Sequence, residues 1–261
     1  MRHWPGWLRG ALLAVGFILL GNALNLVWPR LFGPGHSPMD SQPALFLWAW
    51  ERPEDLRFLQ PDEAGIAVLL AHLVIEGDAP PRLERRKQPL LLTPKTPLMA
   101  VVRIETKNLN GNPLQADQAA GQLMRVFGDS RLAAVQLDYD ASTGERAFYS
   151  MLLTRLRNQL PKRVPITMTA LASWCQGDRW LGGLPVDEAI PMMFRMGPDA
   201  AEIRRLLARG EGFAEPLCRN TLGLSTDEPL TLPPRWEGRI YLFSPKPWTK
   251  QAYDAALKVL R

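Results

Sequence analysis

Histidine and cysteine are scarce in this sequence, three and two among 261 residues, and the scarcity excludes several kinds of chemistry. His3 stands in an N-terminal segment and His36 in a Pro/Gly-rich stretch, which leaves His72 alone in the folded region. A zinc centre needs three or four nitrogen or sulfur ligands, so none is expected, and His72 reads as a satisfied sheet residue. A hydrolytic triad has no base to use and no Gly-x-Ser-x-Gly turn to present a serine. Glycine-rich phosphate loops are absent as well, so no cofactor is expected. A hard cation held by Asp138, Asp140 and Glu105 is the minor alternative, because carboxylate oxygens suit such ions.

Charge is equally uninformative about polyanionic partners. The formal net charge is +5, but Arg2, Arg9 and Arg30 belong to the first 30 residues, leaving 28 basic against 26 acidic side chains from position 31. No basic stripe is interleaved with aromatics, so no nucleic-acid partner is expected.

The N-terminus supplies the clearest addressing signal. Arg2, His3 and Arg9 precede an apolar run, Ala11 to Leu20, broken only by Gly16. Its length suits the core of a signal peptide, with Gly21-Asn22-Ala23 as a weak cleavage site. Extended through Asn22 and Asn25 to Trp28, it reaches about 18 residues, the lower limit for a spanning helix. Residues 1–30 therefore read as a signal peptide or an uncleaved membrane anchor. The arginines ahead of the run keep that end in the cytoplasm, which places the rest outside it: exported and periplasmic, or anchored to the inner membrane. No cysteine lies near the run to carry a lipid. An exported chain with two cysteines either pairs Cys175 with Cys218 or buries both as small apolar side chains. Against pairing, Cys175 follows one strand while Cys218 precedes the next but one, which sets the thiols at opposite ends of a sheet.

Residues 31–43, rich in Pro, Gly and Ser, read as a linker, and residues 44–261 as one domain. Eight short apolar runs read as strands: 44–50, 65–75, 98–105, 132–139, 165–172, 189–196, 222–225 and 239–244. Helical patterns fill 114–127, 198–209 and 249–261. A further helix opens on a capping box, Ser142 with Glu145 three residues on, and stops at Pro161. Glu54 to Leu59 reads as a short helical turn, and 80–96 as a loop or hairpin excursion. Alternation of strand and crossover predicts an α/β fold, an irregular (β/α)8 TIM-like barrel, with a doubly wound open sheet as the alternative. The irregularity is expected between the second and third strands and after the fifth and seventh, where helix is short.

The informative stretch is Ala133 to Ser142, AAVQLDYDAS. A period of two puts Gln136, Asp138 and Asp140 on the inner face and Val135, Leu137 and Tyr139 on the outer one. Two carboxylates on an inward face are costly unless used or paired. Barrel chemistry gathers at the C-terminal ends of strands. Those ends carry Glu51, then Arg103 with Glu105, then Asp138 with Asp140, then Ser173-Trp174, then Arg195 expected inward beside outward Met192 and Phe194, then Asp227 with Glu228. Neighbouring carboxylates whose pKa values are driven apart give one acid and one base, the pair that glycosidic-bond hydrolysis uses. Asp138, Asp140 and Glu105 are thus the catalytic candidates, and Glu51, Arg103, Trp174, Arg195, Asp227 and Glu228 the substrate-binding ones. Trp174, Trp180, Trp236 and Trp248 lie in or beside strand-end loops, where an indole either stacks on a sugar ring or packs in the core. Arg103 and Arg195 either position a ligand or neutralise the aspartates.

The motifs VQLDYDAS, TALASWC, DEAIPMMFRMG and STDEP resemble those of the bacterial family catalogued as domain of unknown function 3142 (DUF3142), over roughly residues 44–230. The resemblance carries no established activity. More loosely, the fourth strand is similar to that of chitinase-like family-18 glycoside hydrolases, which ends in Asp-x-Asp-x-Glu. Gln136, Asp138 and Asp140 lie over that motif, with Gln at the first position and Asp where the acid Glu stands. The Met-x-Tyr-Asp of their sixth strand is missing, with Met193, Phe194 and Arg195 in its vicinity. The implied activity is a glycoside hydrolase-like processing of a glycan ligand, and the alternative a non-catalytic carbohydrate- or envelope-binding barrel.

Overall fold

The structure is a computed structural model that describes residues 37–128 and 131–260. The chain divides after residue 40, and the unit 41–261 carries the fold described here. The signal or anchor segment, 1–30, and the first part of the linker lie outside the described residues. Among the described residues no helix is long and apolar enough to cross a membrane.

In chain order the strands are β1 (Leu45–Ala49), β2 (Glu54–Asp55), β3 (Gly65–Glu76), β4 (Arg82–Arg85), β5 (Leu90–Leu91), β6 (Leu98–Lys107), β7 (Ala134–Asp138), β8 (Ile166–Leu171), β9 (Glu188–Met192), β10 (Thr221–Ser225) and β11 (Arg239–Phe243). The helices are α1 (Pro113–Phe127), α2 (Arg146–Gln159), α3 (Ala172–Gln176), α4 (Ala200–Ala208) and α5 (Lys250–Leu260). Eight strands run parallel in the order β1, β3, β6, β7, β8, β9, β10, β11, and β11 pairs back onto β1. The sheet closes, so the fold is the irregular (β/α)8 barrel and not the open sheet.

The irregularities sit where helix was expected to be short. β3 outlasts β1: Gly65 to Val68 pair with β1, and beyond them Ala71 to Val74 pair antiparallel with β4. A hairpin thus replaces the second crossover helix. Glu54 to Leu59 is not a helical turn, because Glu54 N–H and Leu56 N–H bond the carbonyls of Pro89 and Leu91 as β2 pairs with β5. A single isolated turn of helix cannot compete with those bonds.

Local chemistry fixes the longer helices. Asn112 caps α1, its side-chain oxygen accepting Gln115 N–H at 2.9 Å, with Pro113 as the first helical residue. Ser142 and Glu145 form the expected capping box, spanning one 3-10 turn ahead of α2. Gly210 ends α4 in the left-handed region, φ 76°, where a side chain would be strained.

Strand residues alternate between two cores. Outward positions such as Val135, Leu137, Ala100 and Val102 pack under the helices, all fully buried. Inward positions fill the barrel with aromatic rings and paired polar groups. Trp48 Nε1 donates to Gln136 Oε1 at 2.7 Å, Gln136 Nε2 to Thr167 Oγ1 at 3.2 Å, and Tyr241 OH to Glu188 Oε2 at 3.1 Å. The rings need space, and two strand glycines provide it: a Cβ on Gly65 would lie 2.4 Å from Phe46, and one on Gly223 2.9 Å from Trp48.

Cys175 and Cys218 form a disulfide, with Cα atoms 5.8 Å apart. The expected separation of the thiols fails because β8 passes directly into α3, which packs back against β8 and β9 and carries Cys175 away from the strand end. Glu215 N–H bonds the Cys175 carbonyl at 3.0 Å beside the turn that bears Cys218.

Two stability tests follow. Gly223→Ala should cost about 1–3 kcal/mol in urea unfolding, since the added methyl meets Trp48 and Ile190 inside a closed barrel; an unchanged midpoint would contradict that packing. Replacing both cysteines by alanine opens a link between residues 43 apart in sequence and should cost about 2–4 kcal/mol, measured against the oxidised parent.

Candidate functional site

Three adjacent strands build the centre of the site. Asp138 closes β7, pairs in register with Arg103 on β6, and meets Thr169 of β8 by a hydrogen bond. Its carboxylate is 3 % exposed and doubly held. Oδ1 accepts Thr169 Oγ1 at 2.7 Å, and Oδ2 accepts Arg103 Nη1 at 2.7 Å. This geometry satisfies a buried charge by hydrogen bond and ion pair together.

Asp140 lies just past the strand end, its side chain 49 % exposed, with Oδ2 3.7 Å from Arg103 Nη2. Partial burial pushes its pKa above the ordinary 3.8, and the negative charge of Asp138 pushes the same way, while Arg103 pulls back. One guanidinium therefore serves two unlike carboxylates. Asp138 is buried and doubly held; Asp140 is accessible, with its pKa moved upward.

Both aspartates open into a cleft of about 460 Å³ at the C-terminal mouth of the barrel. Its walls combine Arg103, Thr169 and Ser173 with an aromatic cluster of Trp48, Trp50, Phe194 and Phe243. Phe194 stacks on Phe243 at 5.8 Å and 8°, and Trp50 stands edge-on to Phe243 at 6.2 Å and 90°. Arg86, from the segment after β4, donates to the carbonyls of Trp50 and Arg52 and so holds the β1 rim in place.

The anticipated site residues separate into groups. Arg103, Asp138, Asp140 and Arg195 line the cleft. Glu105 and Glu51 do not; they flank His72, whose Nδ1 lies 2.9 Å from Glu105 Oε1 and whose Nε2 lies 2.7 Å from Glu51 Oε1. Glu105 keeps only a long contact with Arg103, Nε to Oε1, 3.8 Å. Asp227 and Glu228 act on the β9 loop from outside the cleft. Glu228 accepts Arg195 N–H at 2.7 Å and Arg204 Nη2 at 3.0 Å, and Asp227 reaches Arg195 Nη2 at 3.9 Å.

Trp174 is buried against Trp180, rings 5.0 Å apart and nearly perpendicular, with the Arg146 guanidinium over both. Like Trp248, buried with its indole N–H on the Trp48 carbonyl, it is core and not cleft. The parity expected for the sixth strand is also corrected. Glu188 bonds Tyr241 inside the barrel, so Ile190, Met192 and Phe194 follow it on the inward side. The strand ends at Met192, and Arg195 reaches the rim through a left-handed backbone, φ 50°.

A hard cation between Asp138, Asp140 and Glu105 is excluded by occupancy, because the Arg103 guanidinium fills that point. Among the described residues no group of three or more His, Cys, Asp or Glu side chains is placed to hold a metal ion. His72 cannot gather Glu51 and Glu105 round one ion, since they meet opposite ring nitrogens.

No protein-family model matches the chain, and no curated protein matches it. The resemblance to the DUF3142 family thus rests on the sequence motifs alone. Among solved structures the chain is similar to an endo-β-N-acetylglucosaminidase from Cordyceps militaris, at 7% identity and a TM-score of 0.47, over 79% of this chain and 82% of that one. It is also similar to a family GH18 chitinase from Chromobacterium violaceum, at 12% identity and a TM-score of 0.48, over 81% and 82%.

A carboxyl whose folded pKa is raised holds its proton longer in the native than in the unfolded chain, so it destabilises the fold as pH rises through that interval. Asp140→Asn should therefore be more stable than the parent at pH 7 in urea unfolding, with the gap closing below the ordinary aspartate pKa of 3.8. A parent more stable than the variant at pH 7 would show that Arg103 outweighs burial.

Proposed function

We propose that this protein is a glycoside hydrolase-like barrel that processes a glycan outside the cytoplasm, with Asp140 as the proton donor. The observation that carries the reading is the pairing of unlike carboxylates at one open cleft. A general acid must hold its proton near working pH and still reach the glycosidic oxygen. Asp140 is partly exposed, so it can reach a ligand, and its pKa is moved upward, the direction a proton donor needs. Asp138 tunes it through charge and holds Arg103 in place. Pyranose rings present flat apolar faces, and the half-buried rings of Trp50, Phe194 and Phe243 offer a complementary surface beside the acid. Glu105, turned toward His72, is assigned to keeping Arg103 oriented. The export assignment draws support from the Cys175–Cys218 bond, which suits an oxidising compartment, and from the signal or anchor reading of residues 1–30, which ties the protein to the inner membrane if uncleaved.

A second reading, a carbohydrate- or envelope-binding barrel without turnover, is favoured by one observation. Asp138 is engaged by both Thr169 and Arg103, which leaves the acid without a free carboxylate partner for the second half of a hydrolytic cycle.

Incubation of the full chain with envelope glycan fragments, followed by chromatography of the products, separates the two. Hydrolysis that falls about 100-fold or more in Asp140→Asn, with a much smaller change in ligand affinity, supports the enzyme. Binding without turnover in the parent supports the second reading. Absence of both binding and turnover contradicts each of them.

A further inference from the structure

Three arginines approach the aromatic cluster, and they differ in what already holds them. Arg103 faces Asp138, Asp140 and Glu105. Arg52 lies over Phe243 with its Cζ 6.0 Å from the ring centre, but its Nε donates to Glu54 Oε1 at 2.8 Å and its terminal nitrogens donate to the carbonyls of Ser244 and Pro245. Arg195 lies over the same ring, 5.8 Å from its centre. Among the described residues its guanidinium makes one ion pair only, the 3.9 Å contact with Asp227, and that contact is exposed, the two side chains being 64 % and 42 % accessible. A contact of this length and exposure contributes little and is screened by salt.

The backbone that presents Arg195 is, by contrast, firmly held. The residue adopts φ 50°, a conformation that side chains other than Asn, Asp and Gly seldom take. Glu228 fixes it by accepting its N–H at 2.7 Å while pairing with Arg204 at 3.0 Å. The fold thus imposes an unusual turn that sets a weakly engaged guanidinium on the cleft wall, over the Phe243 ring. Strained backbone that the surroundings maintain is characteristic of ligand clamps.

We propose that Arg195 recognises a carboxylate on the ligand, so that the glycan taken by this cleft carries a uronate unit seated on the Phe194–Phe243 face; the inference rests on the glycan reading of the cleft. A planar guanidinium matches a planar carboxylate with two parallel hydrogen bonds. Charge matching favours this monoanion over a phosphate ester. The other cation of the cleft wall, Arg103, already faces Asp138, Asp140 and Glu105, and Asp199 adds one further negative charge to the same wall. One positive charge is on offer, and one negative group answers it. The acid at Asp140 then meets the ring's glycosidic oxygen while Arg195 fixes the ring's orientation through its carboxylate.

The test titrates the full chain with cello-, galacto- and manno-oligosaccharides and with the matching oligoglucuronate, oligogalacturonate and oligomannuronate, by calorimetry at low salt. In at least one pair the uronate should bind about tenfold or more tighter than its neutral counterpart. The ratio should shrink as salt is raised. It should fall toward one in Arg195→Gln and be partly kept in Arg195→Lys, which retains the charge but not the fork. Equal affinity for uronate and neutral members, or a preference that survives Arg195→Gln, overturns the inference and leaves the glycan reading standing. Failure to bind any of the six series also overturns the inference, and the glycan reading then stands or falls on the envelope-glycan assay alone.

Discussion

The burial of one carboxylate organises the mouth of this barrel. Asp138 closes a strand whose every residue is buried, and a charge there is tolerable only if fully compensated. Thr169 and Arg103 supply that compensation from the two flanking strands. Once Arg103 is committed to Asp138, the rest of the arrangement is constrained. Asp140, just beyond the strand end, receives only the far edge of the same guanidinium and stays open to solvent. Glu105, two residues along β6 from Arg103, is left with a long contact and turns to His72 on β3. A line of polar contacts, Asp138, Arg103, Glu105, His72 and Glu51, thereby runs from the barrel centre across the β6, β3 and β1 rim.

The opposite half of the mouth is built on other principles. There β1, β9 and β11 contribute rings, and the stacking of Phe194 on Phe243 with Trp50 edge-on makes a rigid apolar wall. Glycines at Gly65 and Gly223 admit the bulk of Phe46 and Trp48 below it. The cleft is consequently two-sided, acidic and hydrogen-bonding at β6 to β8, aromatic with one weakly paired cation at β9 to β11. A ligand with hydroxyls on its edges and apolar faces suits such a division.

Much of this was legible in the residues, for a physical reason. Parallel barrel strands are apolar on both faces, so runs such as ALFLWAW and LMAVVRIE announce themselves, and the inward aspartates of VQLDYDAS stand out against them. Capping signals were equally plain at Ser142 and Glu145. Three things were less accessible. Strand parity on β9 is not legible locally, because the run AIPMMF is apolar throughout and only the tertiary contact of Glu188 with Tyr241 sets its phase. Part of the aromatic lining is written in β1 and the residue after it, where Phe46, Trp48 and Trp50 alternate with outward residues and Glu51 falls on the other side, but the contributions of Phe194 and Phe243 come from distant strand ends. The contact of Glu105 with His72 depends on the register of β3 with β6, and those of Glu51 with His72 and of Cys175 with Cys218 on loop paths, and no local pattern encodes either.

The central claim is that burial and the neighbouring charge of Asp138 bias Asp140 toward its acid form at an accessible position. Carbon-detected NMR titration of the Asp140 carboxyl tests it directly, in the parent and in Asp138→Asn. The account predicts a pKa above the ordinary 3.8 in the parent and a fall in the variant, where one repelling charge is gone and Arg103 is released toward Asp140. A parent value at or below 3.8, or one that does not move when Asp138 is neutralised, would contradict it.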